Sequence, residues 1–169
     1  MNDPITRDLG GNPPQPAPFR RGRNIIAVIG INQYPHNQVL TRAVADAVGV
    51  RKLFVETLGF EELVEPLIEQ DATYSAITAL VTDKLHNALK PDDSLVLFFA
   101  GHGHTEKGKA GTKETLTGYL IPYDGRHPDE KKFSTYLKLS SFLEDVTNLP
   151  AMHILVIIDA CRSGFALSD

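Results

Sequence analysis

The sequence predicts an α/β fold with a mostly parallel central sheet and helices on both faces. Three short runs of apolar and β-branched residues, 24–31, 94–100 and 153–160, are typical of strands buried on both sides. Between the first two runs, residues 40–58 and 73–89 place apolar side chains at the spacing of amphipathic helices. Strands that alternate with helices in this way form parallel sheets, because each crossover helix covers one face.

The ends of the first two helices have recognisable signals. Gly59 is placed to end the first helix, because glycine adopts the left-handed conformation without steric cost. Residues 62–68 predict a shorter strand interrupted at Pro66. Either Asp71 or Thr73 is expected to cap the second helix, because both side chains accept hydrogen bonds from free helical N–H groups.

The second half of the chain has weaker signals. Residues 103–118 are rich in glycine, lysine and threonine and lack a period, which predicts a mobile surface loop. Residues 119–122 are expected to form a short strand. Residues 139–148 predict a helix that ends before Pro150.

Length and composition predict one domain, residues 24–169, preceded by a flexible arm. The chain has 169 residues, of which 42% are hydrophobic and 22% charged, as in globular proteins. Residues 1–23 contain several prolines and few apolar residues, and therefore predict an extended arm. The arginines at its end are expected to be solvated, namely Arg20, Arg21 and Arg23.

Charge and hydropathy exclude two classes of partner. The formal net charge is −4, whereas a non-specific nucleic-acid binder needs a basic surface. The apolar runs are far shorter than the roughly 20 residues that cross a bilayer, and the N-terminus has no apolar signal-peptide core. The single cysteine excludes an intramolecular disulfide framework. We therefore expect a cytoplasmic protein that binds neither nucleic acid nor membranes.

Chemically active residues follow two of the buried runs. His102 lies between Gly101 and Gly103 just after the second run, and Cys161 follows the third. Because the carboxyl ends of parallel strands meet at one edge of a sheet, we expect His102 and Cys161 to be neighbours there. Tyr34 is expected to shape the loop after the first strand.

A cysteine beside a histidine is typical of nucleophilic catalysis. The thiolate is the attacking form, and a nearby imidazole accepts the thiol proton and later protonates the leaving amine. The N–H groups of Gly103 and Cys161 are candidates for holding the oxyanion of a tetrahedral intermediate.

Three segments resemble the caspase-like cysteine peptidases. Residues 99–103 (FAGHG) and 159–164 (DACRSG) are similar to the histidine and cysteine motifs of these enzymes. The first predicted strand, with residues 40–47 (LTRAVADA), resembles their first strand and helix start. The resemblance covers residues 24–169. It implies the caspase-like fold, a catalytic dyad of His102 and Cys161, and Gly103 as an oxyanion donor.

Two positions distinguish branches of this clan. Caspases carry Gln two positions before the cysteine and an Arg near the first helix, whereas this sequence has Asp159 and Leu40. Metacaspases and related enzymes carry Asp at the first position and use an acidic residue matched here by Asp46. Two carboxylates in one pocket suit a basic side chain, so we expect cleavage after Arg or Lys. The alternative is structural, with Asp159 bonding the following turn and Asp46 packing or capping.

The resemblance also implies that the fold is incomplete without a small subunit. Caspase-like proteins continue after the cysteine with strands that complete the sheet, whereas this sequence ends at Asp169. We expect a large subunit whose partner comes from the same precursor. Autoprocessing at Ser168-Asp169 would favour the alternative of Asp specificity.

No metal or cofactor is expected. Calcium prefers several carboxylate oxygens, and residues 105–117 offer only Glu106 and Glu114 among three lysines. His104 and His102 form a His-x-His pair, but the sequence shows no third residue that would complete a metal site. His104 is expected to lie in a loop near the substrate-binding groove. Three further acidic residues are expected to be solvated: Asp124, Asp129 and Glu130.

The sequence therefore predicts a cysteine endopeptidase that acts on exposed loops of proteins in regulated proteolysis, such as cell death, stress or defence. Alternatives are a caspase-like scaffold that binds partners without cutting them, and a more distant, separase-like member of the clan. The presence of both dyad residues argues against the scaffold. A flavodoxin-like nucleotide binder fits the sheet, but no phosphate-binding loop follows residues 24–31.

Overall fold

A computed structural model describes residues 22–110 and 112–163 of the chain. Residues 1–21, which are most of the predicted arm and include Arg20 and Arg21, lie outside the described residues. Residues 164–169 also lie outside them.

The described residues form one six-stranded sheet. The strands are β1 (Asn24–Gly30), β2 (Leu67–Ile68), β3 (Ser94–Ala110), β4 (Lys113–Leu120), β5 (Leu137–Lys138) and β6 (His153–Ser163). The strand order is β2-β1-β3-β4-β5, and β6 pairs with β3. The pairs β1–β2, β1–β3 and β3–β6 are parallel, whereas β3–β4 and β4–β5 are antiparallel.

Helices cover both faces of this sheet. Helix α1 (Ala43–Lys52) continues as a π-helical turn, Leu53–Thr57, and the chain then turns at Gly59 with a φ of +71°. Helix α2 has three consecutive segments, and helix α3 is Leu139–Thr147. The segments of α2 are Tyr74–Ala79, Leu80–Leu85 and His86–Ala88, of which the middle one is π-helical.

The alternation of side chains along β1 and β3 divides the core into two layers. Ile25 and Phe99 belong to the layer that also contains apolar residues of α2 and α3. Ile26 and Phe98 belong to the layer on α1. The predicted mostly parallel α/β sheet with helices on both faces is therefore confirmed.

Thr73, one of the two predicted caps, is the N-cap of α2. Its hydroxyl accepts the N–H of Ala76 at 3.2 Å, and the carboxylate of Asp124 accepts the N–H of Tyr74 at 2.8 Å. Asp124 is exposed, as expected of a solvated loop charge, and it also satisfies a free N–H group of the helix.

The prediction of a mobile loop at residues 103–118 was wrong. β3 extends to Ala110 and pairs with β4, so that this segment is most of an antiparallel hairpin. The residues form strands because threonine is well suited to a pleated, half-exposed surface, and His104 pairs across the hairpin with Tyr119. His104 therefore lies within a strand, and its ring stacks on Phe133 with the centroids 5.4 Å apart.

Arg23 is part of an ion pair rather than a solvated junction. Its guanidinium donates to Asp93 at 2.6 Å, and its main-chain N–H donates to the same carboxylate at 2.9 Å. Asp93 is 2% exposed. The hydrogen bond from the Arg23 side chain is the main cause that lowers the pKa of Asp93 to about 2.

Candidate active site

The parallel pairing of β3 and β6 brings His102 and Cys161 side by side. The two residues are aligned across the sheet, as are Ala100 and Asp159 two positions earlier. Aligned residues of neighbouring strands share a face of the sheet, and the strands lie about 4.8 Å apart. β6 continues to Ser163, so Cys161 lies inside the strand rather than just after it. The side chain of Cys161 is outside the described part of the structure.

The imidazole of His102 is held by a main-chain carbonyl. Its Nε2 atom lies 2.6 Å from the carbonyl oxygen of Gln38. Because a carbonyl oxygen only accepts hydrogen bonds, Nε2 carries the proton and donates it. Nδ1 of the neutral ring is then unprotonated and is the atom available to act as a base.

Tyr34 holds the main chain of His102. The His102 N–H donates to the Tyr34 hydroxyl at 2.9 Å, and the hydroxyl donates to the carbonyl of Ile121 at 3.4 Å. The Ile121 N–H in turn donates to the His102 carbonyl at 2.9 Å. The tyrosine and imidazole rings also pack together, with their centroids 4.7 Å apart. Both main-chain groups of His102 are thus bonded.

Tyr34 is buried, with 6% of its surface exposed. Burial is the main cause that raises the pKa of its phenol, so the hydroxyl keeps its proton at neutral pH. From the sequence, Tyr34 was expected only to shape the loop after the first strand. Its contact with His102 has no signal in the sequence, because the two residues come from different segments.

Position 101, next to His102, is suited to glycine because Tyr34 leaves no room there for a side chain. A Cβ atom at position 101 would lie 2.6 Å from the Tyr34 hydroxyl and 3.1 Å from the ring of Phe99. Gly103 is aligned with Leu120 on β4 and with Arg162 on β6. Its predicted contribution to an oxyanion site, together with the N–H of Cys161, stays a prediction.

A cleft beside these strands contains both aspartates of the predicted substrate pocket. It has a volume of about 280 Å³, and its lining includes Asp46, Asp159 and Gly101. Asp46 lies in the first turn of α1, and its N–H donates to the carbonyl of Arg42 at 2.8 Å. Both aspartates are exposed, which leaves them accessible to a ligand.

Arg42 also lines this cleft and was not singled out from the sequence. Among the described residues, no salt bridge joins Arg42 to Asp46 or Asp159. The cleft therefore combines two carboxylates with one guanidinium.

Residues 22–110 and 112–163 contain no group of three His, Cys, Asp or Glu side chains that could hold a metal ion. The acidic residues of the region after β4 are engaged with other protein groups or exposed. Glu130 bonds Lys132 and Arg126, and the hydrogen bond from Lys132 is the main cause that lowers the pKa of Glu130. The expected absence of a metal or cofactor stays a prediction.

No helix in the described part of the chain has the length and apolar character needed to cross a bilayer.

Comparisons with known proteins agree with this arrangement. One solved structure, protein GSU0716 from Geobacter sulfurreducens, superimposes with a TM-score of 0.63 at 21% identity. The match covers 84% of this chain and 52% of that chain, and it shows a shared fold.

Two metacaspases are similar in sequence. Metacaspase-3 of Arabidopsis thaliana is 27% identical over 164 residues, covering 91% of this chain and 43% of that protein. Metacaspase-1A of Neurospora crassa is 25% identical over 179 residues, covering 96% of this chain and 37% of that protein. The chain thus spans less than half the length of these relatives.

The family model described as the caspase domain matches residues 23–169, which include His102, Cys161 and both aspartates of the cleft. With the strand order and the aligned histidine and cysteine already described, this match shows that the chain belongs to the caspase-domain family of peptidases.

Proposed function

We propose that this chain is the large-subunit part of a cysteine endopeptidase that cleaves proteins after Arg or Lys. The observation that carries the proposal is the alignment of His102 with Cys161 on neighbouring parallel strands. Family membership supports cysteine peptidase chemistry.

The hydrogen bond from His102 to Gln38 suggests how the proton moves. Nε2 donates to the carbonyl of Gln38, so Nδ1 accepts the proton of the Cys161 thiol. The thiolate attacks the carbonyl carbon of the scissile peptide bond. The N–H groups of Gly103 and Cys161 hold the resulting oxyanion.

The second half of the reaction returns the proton. As the C–N bond breaks, the imidazolium of His102 protonates the leaving amine and becomes a base again. A water molecule then gives a proton to Nδ1 and attacks the thioester. Collapse of that intermediate releases the acid product and restores the thiol of Cys161.

The cleft beside β6 supports basic specificity. Asp46 and Asp159 offer two carboxylates to a substrate side chain, and a guanidinium or ammonium group forms charge-assisted hydrogen bonds with carboxylates. We therefore assign Asp46 and Asp159 to recognition of Arg or Lys before the cleaved bond.

Asp specificity is the second candidate, and Arg42 is the observation that favours it. Its guanidinium belongs to the same cleft and would pair with an acidic substrate side chain. The formal charge of the three side chains is nevertheless negative, which favours a basic substrate.

The outer edge of β6 supports a small subunit from the same precursor. In the described part of the chain, β6 pairs with β3 alone. Leu155 on this strand is 53% exposed, although residues 154–158 of the strand are all apolar. We propose that the rest of the protein adds strands at this edge.

The cellular role proposed from the resemblance is regulated proteolysis in cell death, stress or defence, in the cytoplasm and without a metal or cofactor. Autoprocessing of the precursor after Arg or Lys residues is part of this proposal.

The test uses the complete protein with fluorogenic peptides that end in Arg, Lys or Asp. We expect cleavage after Arg or Lys, and a loss of at least about 10³-fold in Cys161→Ala and His102→Ala, because the two residues act as a unit. His153→Ala is the matched control, because His153 is an exposed histidine of the same strand β6.

Two results would contradict the proposal. One is an unchanged rate in Cys161→Ala. The other is that no peptide is cut and a thiol-directed peptide electrophile leaves Cys161 unlabelled, which would favour the non-cutting scaffold.

A further inference from the structure

His102 lies on β3 between the end of the pairing with β1 and the start of the pairing with β4. The pairing of β1 with β3 ends at Gly30 and Ala100, and one further hydrogen bond joins the Ile31 N–H to the Ala100 carbonyl at 3.0 Å. Beyond this point β1 is followed by a loop, residues 31–40. The main-chain N–H of His102 is therefore bonded by a side chain of that loop, Tyr34, rather than by a strand.

The same loop supplies two contacts to His102. Tyr34 bonds the main chain, and the carbonyl of Gln38 accepts from Nε2. The loop is closed at its base, where the Leu40 N–H donates to the Asn32 carbonyl at 2.9 Å. A shift of this loop would therefore move both contacts together.

Glu69 anchors the loop from outside. One of its carboxylate oxygens accepts the N–H groups of Asn32 and Gln33 at 2.9 and 2.8 Å. Such charge-assisted bonds are stronger than bonds between neutral groups. Glu69 also has a φ of +53°, a conformation that favours glycine. A non-glycine residue in this region is a reason to ask what its side chain does.

We propose that Tyr34 and Glu69 are positioning residues for His102. Glu69 fixes the loop, the loop holds Tyr34 and the Gln38 carbonyl, and these two hold His102 with its proton on Nε2. The inference rests on the proposed function of His102 as the general base. Tyr34 and Glu69 act through His102 rather than on the substrate.

The kinetic test compares Tyr34→Phe and Glu69→Gln in the complete protein. Tyr34→Phe removes the hydroxyl that bonds the main chain of His102, and Glu69→Gln removes the negative charge that strengthens the two bonds to the loop, while both variants keep the shape of the side chain. We expect kcat to fall about 10-fold or more in each variant, with KM within about twofold, because substrate binding does not involve these residues. The double variant is expected to lose less than the product of the single losses, because both residues act through one loop.

Two matched variants serve as controls. Tyr136→Phe removes another buried tyrosine hydroxyl, which bonds the Arg126 carbonyl at 2.5 Å. Glu62→Gln weakens an ion pair with Arg51 in the last turn of α1. Both are expected to keep the wild-type kcat.

A second measurement does not depend on activity. NMR of ¹⁵N-labelled histidines, with His102 assigned from His102→Gln, reports which ring nitrogen carries the proton. We expect the Nε2–H form in the wild type and in Tyr136→Phe, and a mixture of both forms in Tyr34→Phe and Glu69→Gln.

The outcomes separate the two proposals. An inactive wild type that still shows the tautomer change overturns the proposed function and supports positioning. Wild-type kcat and an unchanged tautomer in both variants overturn positioning. Losses that multiply in the double variant also overturn it, because they would show that the two residues act independently.

Discussion

Asp46 and Asp159 line one cleft, although Asp46 lies in the first turn of α1 and Asp159 lies on β6. The parallel sheet creates this neighbourhood, because α1 begins at the edge where β3 carries Gly101 and β6 carries Asp159. The cleft also contains Arg42, so that it holds charges of both signs.

The first prediction concerns the specificity of this cleft. Asp159→Asn is expected to lower kcat/KM for Arg-ended peptides about 10- to 100-fold, because a charge-assisted hydrogen bond contributes roughly 1.5–3 kcal/mol. Asp46→Asn is expected to act in the same direction. Steady-state kinetics with Arg-, Lys- and Asp-ended peptides measure the effect.

The control for this prediction is Asp145→Asn, which changes an exposed aspartate of α3 outside the cleft. Arg42→Ala distinguishes the two specificities, because it removes the positive charge from the cleft. An increase for Arg-ended peptides supports basic specificity. A selective loss for Asp-ended peptides supports the alternative.

The second prediction is that Gly101→Ala damages both stability and activity. The added Cβ would lie 2.6 Å from the Tyr34 hydroxyl, so Tyr34 has to move away from His102. Overpacking of this kind costs about 1–3 kcal/mol. We expect a lower Tm and a lower kcat, measured by thermal unfolding and by peptide cleavage.

Gly49→Ala is the matched control, because Gly49 lies inside α1 and a Cβ there meets nothing within 4 Å. It is expected to stabilise the protein by about 0.5–1 kcal/mol, since alanine favours helix. Wild-type Tm and kcat in Gly101→Ala would contradict the close approach of Tyr34.

The third prediction concerns acid stability. Asp93 has a folded-state pKa of about 2, below its ordinary value of 3.8. Its stabilising contribution is therefore fully present above about pH 5 and is lost as the pH falls through about 2. Asp93→Asn is expected to destabilise by about 3 kcal/mol at pH 7, because it leaves the Arg23 charge without its partner.

Urea unfolding at several pH values measures this contribution. The difference between the wild type and Asp93→Asn is expected to shrink between pH 5 and pH 2. Asp92→Asn changes the exposed neighbouring residue and is expected to leave the unfolding free energy within about 0.5 kcal/mol. A constant difference across this pH range would contradict the assignment to Asp93.

The fourth prediction tests the edge of β6. Leu155 is 53% exposed on β6, and Leu58, which follows the π-helical turn after α1, is 52% exposed. If further strands of the complete protein cover β6, Leu155→Lys is expected to destabilise it by about 2 kcal/mol or more. Leu58→Lys is expected to stay within about 0.5 kcal/mol. Equal small effects in chemical unfolding would argue against a covered edge.

The parts of the fold that could be predicted are those with local signals. The three buried runs became β1, the first part of β3 and most of β6, because continuous apolar character is required of strands covered on both faces. Gly59 ends the first helical segment with a positive φ, as glycine can. Thr73 caps α2 through a hydrogen bond to Ala76, which is only three residues away in the sequence.

The parts that could not be predicted depend on contacts between distant segments. The hairpin of β3 and β4 is polar and glycine-rich, and its strands are set by cross-strand pairing rather than by an apolar pattern. The support of His102 joins three separate segments, namely β3, the loop that carries Tyr34 and Gln38, and the turn at Glu69. No spacing in the sequence relates these positions.

Glu69 combines two opposing structural demands at one position. Its φ of +53° is a conformation that glycine adopts without penalty, whereas its carboxylate is what bonds Asn32 and Gln33. Replacing Glu69 with glycine would relieve the backbone but would also remove both charge-assisted hydrogen bonds, which together contribute more than the relief. Attempts to make the protein more heat-resistant by placing glycine at this position are therefore expected to loosen the loop that carries Tyr34.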